Sequence, residues 1–176
     1  SQVESEVRYE VVDHVATLTL DAPERMNTIS PLMLREISEL LLRADHDRDV
    51  RCIVLTGSGR AFCAGLDLQA QMAGPKGGLG SLGGGDGYIG EFDLRSAPPV
   101  VLHNLDTPTI AALNGGAAGY GLDLALGCDI RIAAQNAKLN SGFAKRGILP
   151  ESGGTWLLPR MVGYAKAAEL NRFPGP

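Results

Sequence analysis

One local pattern occurs twice in this sequence and constrains its fold more than any other feature. Residues 51–68 and 109–134 each show the order strand, glycine turn, short helix and strand. Elements this short bury their apolar sides only by stacking on one another, so the repetition predicts stacked ββα-type turns in an α/β fold rather than one simple sheet. The pieces are the strand Cys52–Thr56 with the turn Gly57–Gly59, then the strand Thr109–Leu113, the turn Asn114–Gly116, the helix Gly121–Gly127 and the strand Ile130–Ala134.

The segments around this pattern have equally clear local signals. Val7–Val12 and Val15–Leu20 are rich in β-formers and are separated by only two residues, which predicts a hairpin. Ser30 followed by Pro31 predicts a helix start, because a serine hydroxyl caps free N–H groups and proline lacks one. The spacing of Leu34, Ile37, Leu41 and Ala44 then predicts one buried helix face, and Tyr164–Leu170 predicts a final helical piece.

The size of the chain, 176 residues with 44% hydrophobic residues, predicts one domain with a real core. We expect this core to span residues 1–170 and residues 171–176 to form a tail. The net charge of -4 and the absence of a basic block argue against a nucleic-acid partner. No apolar run approaches the roughly 20 residues that span a bilayer, and residues 1–8 lack the apolar centre of a secretory signal. We therefore expect a cytoplasmic protein without a membrane partner.

The cysteines and histidines do not form a recognisable metal or disulfide motif. No two cysteines have C-x-x-C spacing, and the three histidines are scattered, so we expect buried, hydrophobe-like thiols and no metal site. The residues concerned are Cys52, Cys63, Cys128, His14, His46 and His103.

Glycine is concentrated in one segment. Of 23 glycines, nine lie between Gly74 and Gly90, and few residues there can pack, which predicts a mobile loop or lid. Gly78–Gly83 also matches the dinucleotide pattern G-x-G-x-x-G. That pattern requires a preceding strand and a following helix, whereas more glycine lies on both sides here. Nucleotide binding is therefore the weakest functional alternative.

Two segments place main-chain donors where a ligand could reach them. In Ala61–Leu68 and in Leu113–Asp129, a strand is followed by small residues and a helix start. The first N–H groups of a helix have no partner within it and point outward with the positive end of the dipole. Two such ends facing each other would form an oxyanion hole, and glycine would let a carbonyl approach closely. The alternative is that both segments are only tight turns.

Three motifs together resemble the crotonase family of enoyl-CoA hydratases and isomerases. They are Gly59–Leu68, Asn114–Ile130 and Gly147–Arg160. The resemblance covers roughly residues 7–170 and includes the turn Asp21–Asn27, which in this family meets the coenzyme A moiety. It implies a crotonase-like ββα spiral core of the α/β class. Family members usually continue with helices that close the acyl pocket and build a trimer, and we expect this C-terminal helical region to be truncated or missing here.

The resemblance implies that the substrate is an acyl-CoA thioester, of the kind met in fatty acid metabolism. Its carbonyl oxygen would lie between the backbone N–H groups of Leu66 and Tyr120. Other substrate-binding positions carried over by the motifs are Arg25, Met26, Ala64 and Phe143. Coenzyme A would enter only as part of the substrate, with no metal and no other cofactor, and the protein would form a homo-oligomer, a trimer or hexamer.

The acid and base positions depart from the hydratase pattern. Asp123 stands where the resembling hydratases carry one catalytic glutamate, but Phe143 occupies the place of the other, and a phenyl ring transfers no proton. Glu151, directly after Pro150, matches a carboxylate position used by some isomerase branches. The resemblance thus implies that Glu151 is the leading proton shuttle and Asp123 the second acid.

Several alternatives stay open at this point. The non-catalytic alternative for Asp123 is a helix-terminal carboxylate that the helix dipole stabilises. For Glu151 the non-catalytic alternative is a solvated acid in a turn. Hydration and double-bond isomerisation are both compatible with the residues. A non-catalytic acyl-CoA-binding protein of the same fold is the rival from another functional class.

Overall fold

Across its described residues, the structure contains two β-sheets. It is a computed structural model and describes residues 4–67, 97–144 and 152–172. The larger sheet has the order β1-β2-β3-β5-β7, with β1 antiparallel to β2 and the other pairs parallel. The smaller sheet has the order β4-β6-β8 and is parallel. The strands are β1 (Val7–Val12), β2 (Val15–Leu20), β3 (Cys52–Gly57), β4 (Ala61–Cys63), β5 (Thr109–Leu113), β6 (Gly116–Ala118), β7 (Ile130–Ala133) and β8 (Leu139–Asn140).

Five α-helices occur in the described ranges. They are α1 (Pro31–His46), α2 (Pro98–Asn104), α3 (Tyr120–Gly127), α4 (Gly154–Val162) and α5 (Tyr164–Arg172). The predicted start of α1 is confirmed, because the Ser30 hydroxyl accepts a hydrogen bond from the Met33 N–H at 3.0 Å and Pro31 occupies the first helical position. None of these helices is long and apolar enough to cross a membrane.

The core lies between α1 and the larger sheet. Met33, Ile37, Leu41 and Ala44 form the buried face of α1, close to the predicted set. Alternate residues of β2 are buried beneath this face, because successive strand side chains point to opposite sides. A second apolar cluster joins α3, α4 and α5 and contains Leu122, Leu126, Leu158 and Ala167.

The predicted hairpin and the second copy of the repeated pattern are confirmed. Strands β1 and β2 pair over the predicted ranges. In the second copy, β5, the turn, α3 and β7 follow one another, with the short strand β6 inserted directly after the turn. In the first copy, β3 is followed by the turn and then by β4, and residues 64–67 are not helical, so the predicted order of strand, glycine turn, short helix and strand is wrong for the described part of residues 51–68. Helix α5 continues to Arg172, two residues into the predicted tail.

Two of the three cysteines are buried, as predicted, and the third is not. Cys63 and Cys128 are buried, whereas Cys52 is half-buried, and all three are free. Within residues 4–67, 97–144 and 152–172, no group of three or more metal-ligating side chains occurs. The predicted loop or lid at residues 74–90 lies outside the described residues.

Candidate active site

Three neighbouring parallel strands bring the predicted site residues to one edge of the smaller sheet. Leu66 follows β4, Tyr120 follows β6, and Phe143 follows β8. Because β6 pairs in parallel with both β4 and β8, the carboxyl ends of all three strands lie at the same edge. In open α/β sheets this is the edge at which ligands bind.

Leu66 is held by a backbone bridge that leaves its own N–H directed to the other side. The Ile29 N–H donates to the Gly65 carbonyl at 2.8 Å, and the Asp67 N–H donates to the Ile29 carbonyl at 3.0 Å. In such a parallel bridge the residue between the two bonds points its own N–H and C=O away from the partner strand. The Leu66 N–H therefore faces away from Ile29.

Tyr120 is the first residue of α3, and glycines on both sides make that position possible. Gly119 has φ 53° and ψ -124°, a conformation that suits glycine. A Cβ on Gly121 would lie 2.4 Å from the Cys63 carbonyl oxygen, so only glycine lets α3 approach β4 this closely. The Asp123 N–H makes the first helical bond, to the Gly119 carbonyl at 3.1 Å. The Tyr120 N–H thus belongs to the outward-pointing first turn.

The two glycine-flanked segments touch each other. A Cβ on Gly65 would lie 3.1 Å from the Ala118 carbonyl oxygen and 3.9 Å from the Tyr120 nitrogen. The residue after Gly65 is Leu66, so both candidate donors lie at the contact between the ends of β4 and β6. This is the arrangement that an oxyanion hole requires, and convergence of the two N–H groups on one oxygen stays a prediction.

Asp123 is a buried carboxylate enclosed by two helix starts. It lies in the first turn of α3 and is 2% exposed. A Cβ on Gly154, the first residue of α4, would lie 2.2 Å from the Asp123 Oδ1 atom, so the carboxylate packs against the N-terminus of α4. The N-termini of both helices, the positive ends of their dipoles, lie next to this side chain. This geometry is compatible with both interpretations of Asp123, a helix-terminal carboxylate and a catalytic acid.

Phe143 is buried at the third strand end, with 7% of its surface exposed. The residues before it are fixed, because the Ser141 hydroxyl donates to the Leu170 carbonyl at 2.8 Å and the Gly142 N–H donates to Asn140 Oδ1 at 2.8 Å. An apolar ring therefore fills the position where the resembling hydratases carry an acid. Glu151 lies outside the described residues, so its placement stays a prediction.

The turn that precedes α1 is hydrogen-bonded to the segment that contains Leu66. The Ala64 N–H donates to the Met26 carbonyl at 3.0 Å, which joins two predicted substrate-binding residues. The Met26 side chain is 39% exposed. Arg25 makes ion pairs with Glu6 at 2.8 Å and with Asp67 at 3.8 Å. The predicted coenzyme A turn and the predicted oxyanion segment are therefore one connected unit.

Two asparagines that the sequence reasoning did not select as site residues support this unit. Asn27 is completely buried, and its side chain makes four hydrogen bonds to the backbone. Asn114 makes three, at the turn between β5 and β6. The signal available in the sequence was their position, since each is an uncharged polar residue in a turn beside a candidate donor segment.

Cys63, at the end of β4, lies beside this unit but is not a candidate nucleophile. Burial raises the pKa of its thiol to about 12, although a contact with the Gly65 carbonyl opposes the rise. A thiol rather than a thiolate is present near neutral pH, and only the thiolate is strongly nucleophilic.

Comparison with known proteins adds independent observations. The sequence profile of the enoyl-CoA hydratase/isomerase family matches residues 10–173. A 1,2-epoxyphenylacetyl-CoA isomerase of Escherichia coli K12 is 45% identical over 158 residues, which cover 89% of this chain and 58% of that protein. A probable enoyl-CoA hydratase of Rhodobacter capsulatus is 41% identical over 170 residues, covering 95% of this chain and 61% of that protein.

Solved structures show the same architecture. An enoyl-CoA hydratase subunit I of Geobacillus kaustophilus HTA426 superposes with a TM-score of 0.84 at 33% identity, covering 99% of this chain and 63% of that one. The chain thus spans less than two thirds of the length of these relatives. The match over nearly the whole sequence, together with the paired strand ends and their glycines, shows that the chain belongs to the crotonase family of enoyl-CoA hydratases and isomerases.

Proposed function

We propose that this protein binds an acyl-CoA thioester and moves a proton on an enoyl-CoA, with the enolate oxygen bound by the N–H groups of Leu66 and Tyr120. The observation that carries the proposal is the contact between the ends of β4 and β6. Negative charge develops on the thioester oxygen when a neighbouring carbon loses a proton. Two preorganised main-chain donors stabilise that charge, and one such donor contributes about 3 kcal/mol.

Double-bond isomerisation is the reaction that the side chains favour. It takes a proton from one carbon and returns it to another, so one shuttling carboxylate suffices. The buried ring of Phe143 fills the position of a second acid and leaves that position without a proton carrier. We assign the shuttle to Glu151 and a supporting role to Asp123. The 45% identical relative is named as a 1,2-epoxyphenylacetyl-CoA isomerase, which supports isomerase chemistry on a CoA thioester but concerns an epoxide instead of a double bond.

Hydration is the second candidate, and the position of Asp123 favours it. A carboxylate that is buried at the edge of the site could accept a proton from water while Glu151 supplies one to the substrate. The net reaction then adds the elements of water across the double bond. The Rhodobacter relative is named as a probable enoyl-CoA hydratase.

A panel of enoyl-CoA thioesters separates these reactions. Hydration adds the mass of water and removes the conjugated chromophore, whereas isomerisation keeps the mass and moves the double bond, so mass spectrometry and ultraviolet absorbance are read together. We expect turnover without a mass change. Tight binding of acyl-CoA with no turnover of any thioester would favour the non-catalytic alternative.

Two isosteric variants assign the roles. Glu151→Gln and Asp123→Asn each preserve shape and delete basicity, and loss of the shuttle should lower the rate at least about a hundredfold. We expect the larger loss for Glu151→Gln. Near-full turnover in this variant, with inactive Asp123→Asn, would reverse the two roles.

The assembly and the cofactor requirement are part of the same proposal. We propose a homo-oligomer, a trimer or hexamer, that uses no metal and no group other than the coenzyme A of its substrate. Light scattering on the purified protein tests the assembly. Turnover that survives dialysis against a chelator tests the second point, and loss of activity that added divalent metal restores would contradict it.

A further inference from the structure

We infer that Asn27 is a positioning residue that fixes the Leu66 donor and ties it to the turn formed by residues 21–27. The inference rests on the proposed function, because it concerns the oxyanion hole that this function requires. Asn27 does not touch the reacting atoms. It acts through β4, whose end leads directly to Leu66.

The first support is the hydrogen bonding of the Asn27 amide, which is 0% exposed. Its Oδ1 accepts from the Ala22 N–H at 2.9 Å, which closes the turn. Its Nδ2 donates to the carbonyls of Ser58 and Ala61 at 2.9 Å and to that of Phe62 at 3.2 Å. One buried side chain therefore joins the 21–27 turn to both the beginning and the middle of β4.

A second side-chain amide, that of Asn114, binds the same strand. The Asn114 Nδ2 donates to the Gly59 carbonyl at 3.0 Å and to the Ala61 carbonyl at 3.1 Å, while its Oδ1 accepts from the Gly57 N–H at 3.1 Å. The Ala61 carbonyl thus accepts from both amides. The two side chains act as a clamp on the start of β4, and we call Asn27 and Asn114 the amide clamp.

Three backbone hydrogen bonds carry this position on to the donor. Residues 26–29 and residues 64–67 are joined from the Ala64 N–H to the Met26 carbonyl, from the Ile29 N–H to the Gly65 carbonyl, and from the Asp67 N–H to the Ile29 carbonyl. Leu66 lies within this ladder. A shift of the turn therefore moves Leu66 as well.

The backbone at Asn27 has a conformation that benefits from support by its surroundings. Met26 has φ 56° and Asn27 has φ 54°, both in the left-handed region. Such conformations are uncommon for a residue such as methionine and persist where the surroundings determine them. Without the amide, the turn would relax toward ordinary φ values and take the 64–67 segment with it.

The test uses Asn27→Ala, the milder Asn114→Ala and a control of matched instability, Leu41→Ala. Leu41 is fully buried in α1, eleven residues beyond the Ser30 cap, which places it about 16 Å along the helix. Asn114→Ala removes half of the clamp and keeps Asn27, so it remains informative if Asn27→Ala does not fold.

The first readout needs no substrate. Hydrogen exchange of the Asp67 amide, which is bonded to Ile29, should accelerate at least tenfold in the clamp variants relative to Leu41→Ala at equal global stability. Unchanged protection in a folded clamp variant would overturn the inference. This result does not depend on the proposed function.

The second readout is the carbonyl polarisation of a bound thioester. A para-amino-substituted cinnamoyl-CoA should show a red-shifted absorption band on binding to the wild type. We expect the clamp variants to lose at least half of this shift and at least tenfold in kcat, whereas Leu41→Ala keeps both within about twofold. A full red shift in a folded clamp variant would refute the inference. A wild type that shows neither shift nor turnover would refute the proposed function instead, while the exchange result still decides the role of Asn27.

Discussion

The two candidate donors, Leu66 and Tyr120, follow the ends of neighbouring strands, yet they are held in place by different kinds of contact. On the Leu66 side, two side-chain amides and a backbone ladder hold the chain. On the Tyr120 side, the strand turns into a helix at Gly119, and Gly121 lets that helix press on β4. The Leu66 side depends on hydrogen bonds from the side chains of Asn27 and Asn114. The Tyr120 side depends on the absence of a side chain at Gly121.

This difference predicts how each side fails. Removing an amide loosens the Leu66 segment gradually, because other bonds of the ladder remain. Adding a methyl group beside Tyr120 forces an immediate displacement, because it would meet the Cys63 carbonyl oxygen of β4 and the short side chain of the same residue. We therefore expect substitutions on the Tyr120 side to lower stability and turnover more than substitutions on the Leu66 side.

The largest effect is expected for Gly121→Ala. Its Cβ would lie 2.4 Å from the Cys63 carbonyl oxygen and 2.7 Å from the Cys63 Cβ and Sγ atoms, so α3 must move away from β4. We expect the free energy of unfolding in urea to fall by about 3 kcal/mol and turnover to be lost.

Gly116→Ala is the matched control for this variant. Its Cβ would meet only the Lys138 carbonyl oxygen at 3.5 Å, an ordinary contact, and its φ is not positive. The control should stay within about 1 kcal/mol of the wild type. Equal stability of the two variants would show that the Tyr120 side does not depend on close approach.

The next effect concerns the carboxylate beyond Tyr120. Gly154→Ala would bring a Cβ to 2.2 Å from the Asp123 Oδ1 atom, and the flexible end of a side chain gives way more easily than backbone. We expect kcat to fall at least about tenfold with a smaller stability loss than in Gly121→Ala, because Asp123 is displaced from its position beside the site. The exposed neighbour Thr155→Ala serves as the control, and unchanged kcat in Gly154→Ala would separate Asp123 from catalysis.

A smaller effect is expected where a side chain holds a turn far from the donors. Asp45 accepts hydrogen bonds from the N–H groups of Thr107 and Asp106 at 2.8 and 3.1 Å. Burial raises the pKa of the Asp45 carboxyl, but these hydrogen bonds lower it by a larger amount. The net pKa is therefore below the ordinary value of 3.8. The ionised form therefore stabilises the fold above the ordinary pKa, and this contribution is lost as the pH falls through the lowered value.

Asp45→Asn measures that contribution. We expect about 1 kcal/mol less stability than the wild type at pH 7 and a difference that shrinks in acid, with unchanged kcat. Urea unfolding at several pH values is the measurement. A difference that grew toward low pH would contradict the sign of the pKa shift.

The smallest effect is chemical and leaves stability unchanged. Cys63 is fully buried at the contact between β4 and α3, and burial raises its pKa to about 12, whereas Cys52 is half-buried. Iodoacetamide should alkylate Cys52 at least about tenfold faster than Cys63 in the native protein. Mass spectrometry of tryptic peptides gives both rates, and the urea-unfolded protein is the control in which the difference disappears. Rapid labelling of native Cys63 would mean that the contact opens readily.

The sequence was informative where structure is local. The hairpin, the Ser30 cap and the strand Thr109–Leu113 follow from neighbouring residues, and the structure has them where they were predicted. Helix α2 and the strands β6 and β8 were not predicted. Both strands are only two or three residues long and are defined by pairing with distant strands, which leaves no periodicity to read.

For the site as well, the sequence was informative about local motifs and not about contacts between distant residues. Family motifs selected Leu66, Tyr120 and Phe143, and the parallel strands place all three at one edge. Asn27 was passed over as a site residue because the importance of its amide lies in three carbonyls more than thirty residues away. The contact between Asp123 and Gly154 likewise joins two helices that no local pattern relates.

The pairing of the smaller sheet has a consequence for the order in which the chain folds. The β1–β2 hairpin closes through a two-residue turn, whereas Ala61 pairs with Gly116 only after a long loop has closed. We expect the hairpin and α1 to form early and the β4–β6–β8 sheet to form late. Substitutions at its strand ends should then speed unfolding and leave the refolding rate nearly unchanged. A chain that has folded only its hairpin and first helix would be catalytically silent, because the edge that brings Leu66 beside Tyr120 does not yet exist.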